Sequence, residues 1–410
     1  MVTTPEQVGD ELRRLRKAAH ETQADVARIV GVSRANLTQW ETGRYLPSTD
    51  NARLLDDHFR AANMLFDLVE GARSPASAGS VVTTGGSLLE VLRRAGHSLA
   101  GHVIRDDDGQ AVGWRHNLQQ QGEQTTLATA YGISAMVVVG EPYIGLHNVV
   151  VDLYEKRSEF GWQGRSSGRR PEVTAAVVDA LSQASTLLSA DEGLRYLERS
   201  LDGYSRTRPF LLATALRSAV RLRPDAPLIR KLADDLLATR LDFDGLLLWG
   251  EKKEPRLVAP EPSAAHTARA VVALRALLHG GGERSDVRDA VETATQWLIE
   301  RAHPDDGVSE ELALPQPGGG QPVRVNIKHF TAAWVLQVLA EAPHVPTARL
   351  SRALGSLWER HEPSLGLWAW GSGDLPIWMT LDAVTALRAA ALAFAVPALL
   401  PPNVPQNAAE

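Results

Sequence analysis

The sequence predicts an all-α protein, in which a small helix-turn-helix domain is linked to an α/α toroid of about six helical hairpins. Three observations lead to this prediction. Two short helices near the N-terminus are joined by a glycine-containing turn. A Gly/Ser-rich segment follows them. Beyond it, apolar helices alternate with helices that have one polar face, in a pattern that recurs about every 50 residues.

Composition limits the classes of function. A chain of 410 residues is too long for one small core and predicts two or three domains. Its net charge of −6 gives no general attraction to nucleic acid or anionic lipid, so DNA binding requires a local basic face. The absence of cysteine excludes disulfides, cysteine-ligated zinc and cysteine nucleophiles.

Targeting and membrane signals are weak. The first residues lack the apolar region of a signal peptide. The most apolar segment near the C-terminus, residues 389–400, contains Pro397 and is too short to span a bilayer. We therefore expect a cytoplasmic protein without a membrane partner.

The helix-turn-helix is predicted from its start and stop signals. Thr22 is the expected N-cap of a helix that ends at Gly31, where a positive φ is easily adopted. Ser33 is the expected cap of the next helix, which ends at Gly43. Apolar residues at helical spacing predict a small core, in which the tryptophan is a core residue and does not stack on bases. The core residues are Ala27, Val30, Val32, Leu37 and Trp40.

Residues 12–48 closely resemble the DNA-binding domain of the Cro/cI-type (Xre-like) repressors. The strings TQADVA and GVSRANLTQWETG and the following Pro47 carry this resemblance. His20 departs from the family, which usually has a small residue there. The resemblance implies a double-stranded DNA operator, a homodimer on two half-sites, and a recognition helix, residues 33–41, in the major groove.

The resemblance also implies which side chains contact DNA. Arg34, Ala35 and Gln39 occupy the base-reading positions, while Asn36 and Arg44 are phosphate candidates. Gln23 lies at a helix N-terminus, where a phosphate can be held. The complete set of predicted DNA-binding residues is Gln23, Ser33, Arg34, Ala35, Asn36, Thr38, Gln39 and Arg44.

Composition shifts give the domain boundaries. Residues 1–70 are predicted to form the DNA-binding domain and residues 71–86 a flexible linker. Residues 87–400 are predicted to form a toroid that senses a ligand or mediates interaction, and residues 401–410 a disordered tail.

The toroid is predicted from repeated loops that contain Gly and Trp, each followed by an apolar helix and then a more polar one. A threonine stands near the start of most apolar helices, at positions 126, 174, 267, 331 and 380. Because the apolar helices lack a polar face, they should form an inner ring that is buried on both sides. These DG-x-W-like loops and TAxxVxAL helices resemble the prenyltransferase β subunits and the squalene/hopene-cyclase repeats.

The loop tryptophans have two interpretations. They wedge neighbouring hairpins together, as we expect for Trp162, Trp249, Trp368 and Trp370, or some of them line a central pocket, since a hollow axis is the usual ligand site. The predicted pocket residues are Trp114, Tyr131, Trp162, Trp249, His266, His329, Trp334 and Trp378.

Known catalytic patterns are incomplete in this chain. Prenyltransferases need a zinc held partly by cysteine, which is missing. Cyclases use a DxDD motif, and the nearest strings, residues 242–245 and 304–307, are interpreted as turns. Glycosidases of the inverting type need two facing carboxylates, which cannot be paired from sequence alone.

No metal ligand set is evident either, because His116, His266 and His329 have no short metal-binding spacing. We therefore expect no cofactor, no metal and no enzyme activity. The predicted function is a sequence-specific transcriptional regulator whose toroid binds a small apolar effector or mediates oligomerisation. Two alternatives stay open: a terpene-cyclase-like or glycosidase-like enzyme with a DNA-binding head, and an architectural toroid that recruits another protein.

Overall fold

The structure is a computed structural model that describes residues 5–30, 32, 34–43, 45–47, 49–61, 64–73, 88–164, 170–203, 208–251, 261–300, 309–314, 323–370 and 374–393. The described residues divide into two compact units, one within residues 5–73 and the other within residues 88–393. The predicted linker overlaps the first unit, since residues 71–73 end a helix; its remainder and the predicted tail lie outside the described residues.

The described part of the first unit is helical. Its helices are α1 (Pro5–Ala18), α2 (Gln23–Ile29), α3 (Arg34–Glu41), α4 (Thr49–Phe59) and α5 (Met64–Arg73). Thr22 caps α2 through a capping box: its hydroxyl accepts from the Asp25 N–H, and the Asp25 carboxylate accepts from the Thr22 N–H. The predicted cap is therefore present.

The core of the first unit contains the predicted residues. Ala27, Val30, Leu37 and Trp40 are buried in one apolar cluster, and Val32 packs against it. Trp40 is thus a core residue, as expected from its spacing. Gly31 and Ser33 lie outside the described residues.

Two turns of this unit show why particular residues occur there. Gly43 has a φ of 69°, and a Cβ at this position would lie 2.7 Å from the backbone of Glu6. His20 also adopts a left-handed φ, of 56°. A glycine would adopt that conformation without steric cost, whereas a histidine strains the backbone there. The departure of His20 from the family pattern thus affects one turn and leaves the helices intact.

The second unit consists of outer and inner helices in strict alternation. The outer helices are α6 (Leu88–Gly101), α8 (Leu146–Glu155), α10 (Ala190–Leu201), α12 (Pro227–Ala238), α14 (Ser285–Glu300) and α16 (Thr347–Trp358). The inner helices are α7 (Thr126–Val139), α9 (Pro171–Ala184), α11 (Pro209–Leu222), α13 (Ala264–His279), α15 (Thr331–Ala340) and α17 (Ile377–Ala393).

The inner helices form a closed ring. Each packs against the next along the chain, and α17 packs back against α7. Burial follows from sequence: almost every residue of α9 is buried, whereas α10 buries only one face. The all-α fold class and the toroid of six hairpins are confirmed.

Short antiparallel hairpins, which the sequence did not predict, connect several outer helices to the inner helix that follows. They pair β1 (Ile104–Arg105) with β2 (Ala111–Gly113), β3 (Leu241–Phe243) with β4 (Leu246–Leu248), β5 (Ser309–Leu314) with β6 (Val323–Lys328), and β7 (His361–Glu362) with β8 (Leu367–Trp368). Asp244 and Gly245 form the β3–β4 turn with φ of 52° and 78°. Residues 242–245 thus end strand β3 and form its two-residue hairpin turn, as predicted; residues 304–307 lie outside the described residues.

None of the helices in the described ranges is long and apolar enough to cross a membrane.

Candidate functional site

Helix α3, the predicted recognition helix of the first unit, presents polar side chains to solvent. Arg34 and Thr38 are exposed on α3, while Asn36 and Gln39 are half-buried on the same helix. The Thr38 hydroxyl donates to the Arg34 carbonyl at 2.9 Å. Ala35 lies in the first turn of α3, and Ser33 and Arg44 fall outside the described residues. DNA contact by these residues stays a prediction.

Gln23, at the start of α2, is held between two helices. Its amide nitrogen donates to Glu41 Oε2 at 3.0 Å, and its amide oxygen accepts from the Thr38 hydroxyl at 3.2 Å. Glu41 is 2% exposed and also accepts from Arg16 at 2.9 Å. These contacts fix α2 against α3, which is the geometry that a helix-turn-helix needs to dock as one body.

The loop tryptophans of the toroid form a repeated clamp. Each indole Nε1 donates at 2.7–3.0 Å to a carbonyl in the last turn of the preceding outer helix. Each tryptophan N–H donates at 3.2–3.3 Å to a threonine hydroxyl of the following inner helix. The clamps are Leu99–Trp114–Thr129, Leu153–Trp162–Thr174, Leu236–Trp249–Thr267 and Leu357–Trp368–Thr380.

The clamp corrects one detail of the repeat alignment. In the first repeat the hydroxyl comes from Thr129, three residues after Thr126, which the sequence spacing had favoured. The glycines before the first two tryptophans also have a role: Gly113 and Gly161 have φ of 141° and 93°, and a Cβ at either would collide with the clamp threonine.

A cavity of about 360 Å³ lies on the axis of the ring, within the size range of small-molecule sites. Every inner helix contributes a side chain from its first turns: Tyr131, Glu172, Thr214, Arg269, Trp334 and Asp382. Loop residues complete the wall, among them His116, Lys328, His329, Trp370 and Asp374.

Of the eight predicted pocket residues, four line this cavity: Tyr131, His329, Trp334 and Trp378. Trp114, Trp162 and Trp249 are buried in the clamps instead, and His266 is buried behind the wall with its ring 4.8 Å from that of His329. Trp370, which we expected to wedge hairpins, lines the cavity with its ring 5.6 Å from Trp378.

Charged groups line the cavity, a property that the apolar inner helices did not indicate. Glu172 is hydrogen-bonded to Arg170. Asp179 accepts from Arg221 at 2.9 Å and lies 3.9 Å from Arg217. Arg170 directly precedes α9, whereas Arg217 and Arg221 lie on α11, which packs against α9.

Asp382 completes the charged wall. Its Oδ2 accepts from the Trp334 indole at 2.8 Å and lies 3.6 Å from Arg269. The Arg269 guanidinium in turn lies 4.1 Å from the centre of the Trp334 ring.

Burial raises the pKa of two groups in this wall. It raises the pKa of the Asp382 carboxyl above its usual range, because desolvation outweighs the attraction of Arg269. Burial likewise raises the pKa of Tyr131 to about 12, so its phenol stays protonated at neutral pH.

Two buried polar atoms of the wall have no hydrogen-bond partner: Glu172 Oε2 and Arg217 Nε. Glu172 is 7% exposed, and an acceptor buried to that degree is normally satisfied. A ligand with hydroxyl or amide groups would supply the missing contacts.

A metal site is not evident in the described ranges, where no three His, Asp or Glu side chains converge. His116 and His329 both line the cavity, whereas His266 lies behind it.

Comparisons with known proteins separate the two units. Residues 7–67 match the helix-turn-helix domain family. No curated protein matches the chain. Among solved structures, the chain is similar to an inactive variant of alpha-1,6-mannanase GH76A of Salegentibacter sp. HEL1_6 in complex with alpha-1,6-mannotetrose. The two chains are 12% identical with a TM-score of 0.50, and the match covers 75% of this chain and 100% of that one.

Two further solved structures are similar at lower scores. A mannotriose complex of an inactive variant of the same mannanase is 11% identical with a TM-score of 0.47, covering 75% of this chain and 100% of that one. The type II terpene cyclase MstE from Scytonema is 18% identical with a TM-score of 0.45, covering 75% and 99%. At these identities the comparisons concern the fold alone.

The expectation that the chain is not an enzyme is contradicted by these findings, because a solved structure with a similar fold is a mannanase. Carboxylates from α9 and α17 also line the cavity, and no local motif in the sequence relates them.

Proposed function

Because residues 7–67 form a helix-turn-helix domain, we propose that the chain is a sequence-specific DNA-binding regulator whose toroid takes up a small polar effector in its axial cavity. The observation that carries the DNA-binding part is the exposed polar face of α3, held at its base by the Glu41–Gln23–Thr38 contacts. In this proposal the side chains of Arg34 and Gln39 contact base edges in the major groove.

Regulation requires that the effector bind the DNA-competent and DNA-incompetent forms with different affinities. A single domain of this size covers little DNA, so we propose a homodimer that places two heads on half-sites about one DNA turn apart. In this proposal the toroid sets the distance between the two heads.

The test begins with selection of a preferred duplex from a random pool by the full chain. Arg34→Ala combined with Gln39→Ala should lower the preference for that duplex over random DNA, since each bidentate base contact contributes about 1–3 kcal/mol of discrimination. The measurement is fluorescence anisotropy at several salt concentrations, where affinity should fall steeply as salt rises.

The matched control is Arg14→Ala, an exposed arginine of α1 paired with Glu11 outside the recognition helix. It should leave the preference unchanged. If the double variant discriminates as well as the unchanged chain, α3 does not read bases and the proposal fails.

Acid-catalysed bond cleavage in the toroid is a second candidate function, favoured by the state of Asp382. A carboxyl with a raised pKa in a cavity is what a general acid needs, because it must carry a proton near neutral pH. Hydrolysis of a glycosidic bond would then use Asp382 to protonate the leaving oxygen and Glu172 to accept a proton from the attacking water.

This candidate predicts that the full chain releases monosaccharides from at least one disaccharide in a panel of α- and β-linked substrates. Asp382→Asn should lower kcat by about 100-fold or more, the usual contribution of a positioned acid. Asp242→Asn, in the β3–β4 turn, is the control and should have no effect. Equal turnover by Asp382→Asn, or no product from any substrate, removes the candidate.

A further inference from the structure

The axial cavity is balanced in charge. Its described lining contains four carboxylates, Glu172, Asp179, Asp374 and Asp382, and four cationic side chains, Arg170, Arg217, Arg269 and Lys328. When all eight groups are ionised neither sign is in excess, so an anion or a cation entering the cavity would meet as many like charges as opposite ones. The lining therefore selects against a ligand with a large net charge.

Three of the four carboxylates are also already paired with an arginine. Glu172 is bonded to Arg170, Asp382 lies 3.6 Å from Arg269, and Asp179 accepts from Arg221 at 2.9 Å. A charged ligand group would have to break one of these pairs and leave a partly buried partner, which is costly. A neutral group that both donates and accepts hydrogen bonds can join such a pair without breaking it.

The two unpartnered atoms fit the same kind of group. Glu172 Oε2 is an acceptor and Arg217 Nε is a donor, and both are buried in the described wall. A hydroxyl group can donate to a carboxylate and accept from a guanidinium. Several hydroxyls on one ligand would therefore satisfy this wall, whereas an apolar ligand would leave both atoms without a partner.

Aromatic side chains provide the remaining surface. Trp370 and Trp378 lie 5.6 Å apart at an angle of 50°, and the Trp334 ring is held by Arg269 and Asp382. These indoles are flat, apolar and positioned by neighbours, so they suit a rigid ligand with one apolar C–H face.

We propose that the axial cavity binds a neutral saccharide of one or two rings, with its hydroxyls on the Glu172 and Arg217 side and an apolar face against Trp370 and Trp378. This inference rests on the proposed polar ligand of the toroid and assigns its chemical class. A cavity of about 360 Å³ is at the small end for such sites, which limits the ligand to this size.

The test titrates the purified full chain, without DNA, with methyl glycosides of glucose, galactose and mannose and with maltose, cellobiose and trehalose. Binding is followed by tryptophan fluorescence and isothermal titration calorimetry. Glucuronate, glucose 6-phosphate, farnesol and adenosine are the charged, apolar and nucleoside comparisons. At least one neutral saccharide should bind with a Kd of about 1 mM or tighter, and more tightly than all four comparisons.

Two variants locate the site. Trp378→Ala should weaken saccharide binding about tenfold through loss of the aromatic face. Glu172→Gln, which keeps the side-chain shape, should weaken it about tenfold or more through loss of a charge-assisted hydrogen bond. The matched controls are Phe243→Ala on β3 and Glu292→Gln on α14, both outside the cavity, and neither should change the affinity.

The inference is overturned if no neutral saccharide binds, if a charged, apolar or nucleoside probe binds more tightly, or if Glu172→Gln binds saccharide as well as the unchanged chain. The regulator proposal is judged separately, by repeating the DNA titration with saturating saccharide. Saccharide binding without any change in DNA affinity supports the ligand class and contradicts the regulatory coupling.

Discussion

The side chain of His361, in β7, is enclosed by aromatic rings. It lies 5.1 Å from the ring of Trp358 and 4.8 Å from that of Trp368, and its Nε2 is buried without a hydrogen-bond partner in the described structure. Burial, together with the charge of Arg94, lowers the pKa of His361 to about 4. The neutral ring is thus the form that the fold accommodates.

His361 should make the toroid sensitive to acid. A histidine whose folded pKa lies below its unfolded value of about 6.5 stabilises the fold above pH 6.5, and that stability is lost as the pH falls towards 4. We expect the free energy of unfolding to lose about 2 kcal/mol from this group between pH 7 and pH 5. In His361→Phe this part of the loss should be absent.

The measurement is denaturant unfolding at both pH values, followed by tryptophan fluorescence, which reports mainly on the toroid. The exposed His147 gives the matched control, since His147→Phe should retain the full loss on acidification. A pH dependence that is the same in His361→Phe and the unchanged chain would show that His361 titrates normally.

Glu41 in the DNA-binding unit also has a lowered pKa, but here the fold favours the charged form. Burial alone would raise its pKa, but hydrogen bonds from Arg16 and Gln23 lower it below the usual range. The contacts that hold Gln23 therefore persist at neutral pH. They weaken only when the pH falls below the pKa of an ordinary glutamate. The sequence indicated Gln23 as a phosphate contact; its link to Glu41, eighteen residues away, required the structure.

At the scale of elements, the tryptophan clamp explains why an aromatic-poor chain contains so many tryptophans. An outer helix ends with carbonyls that lack intrahelical partners, and an inner helix begins in an apolar ring. An indole can fill the apolar space between them and donate one hydrogen bond at a defined point. The clamp thereby joins the two helices of a hairpin without a polar layer.

The clamp should contribute measurably to stability. Trp162→Phe removes the donor to Leu153, and Thr174→Val removes the hydroxyl that accepts from the Trp162 N–H. Each change leaves a buried backbone group without that partner, which should lower the free energy of unfolding by about 1–3 kcal/mol. The measurement is denaturant unfolding with circular dichroism at the helix band.

Trp297→Phe on α14 is the control, because Trp297 is half-buried on an outer helix and takes no part in a clamp. It should cost less than either clamp variant. If Trp162→Phe is no more destabilising than Trp297→Phe, the indole hydrogen bond does not hold the hairpin together.

At the scale of the whole molecule, ring closure creates the candidate site. The packing of α17 against α7 brings the last hairpin to the first. It also brings Asp382 and Trp378, which lie on the last inner helix, to the same cavity as Tyr131, which lies on the first inner helix. Because the cavity takes one or more side chains from every inner helix, its chemistry belongs to the closed ring and to no single hairpin.

The sequence by itself determined the helices, their caps and their repeated pairing. Thr22, Trp40 and the Gly/Trp loops could be interpreted because capping, helical periodicity and turn conformation depend on residues only a few positions apart. These local rules also predicted the helix-turn-helix and the number of hairpins.

Only the tertiary structure decided what lines the axis. Glu172, Arg217, Arg269, Trp334 and Asp382 are separated by tens of residues, and each lies on a helix that is mostly apolar. Their direction around the ring depends on the rotation of each helix against its neighbours, which no spacing in the sequence specifies. The physical reason is that the cost of burying these charged side chains is offset by pairs formed across helices. Such a pair can be identified only when the positions of both partners in space are known.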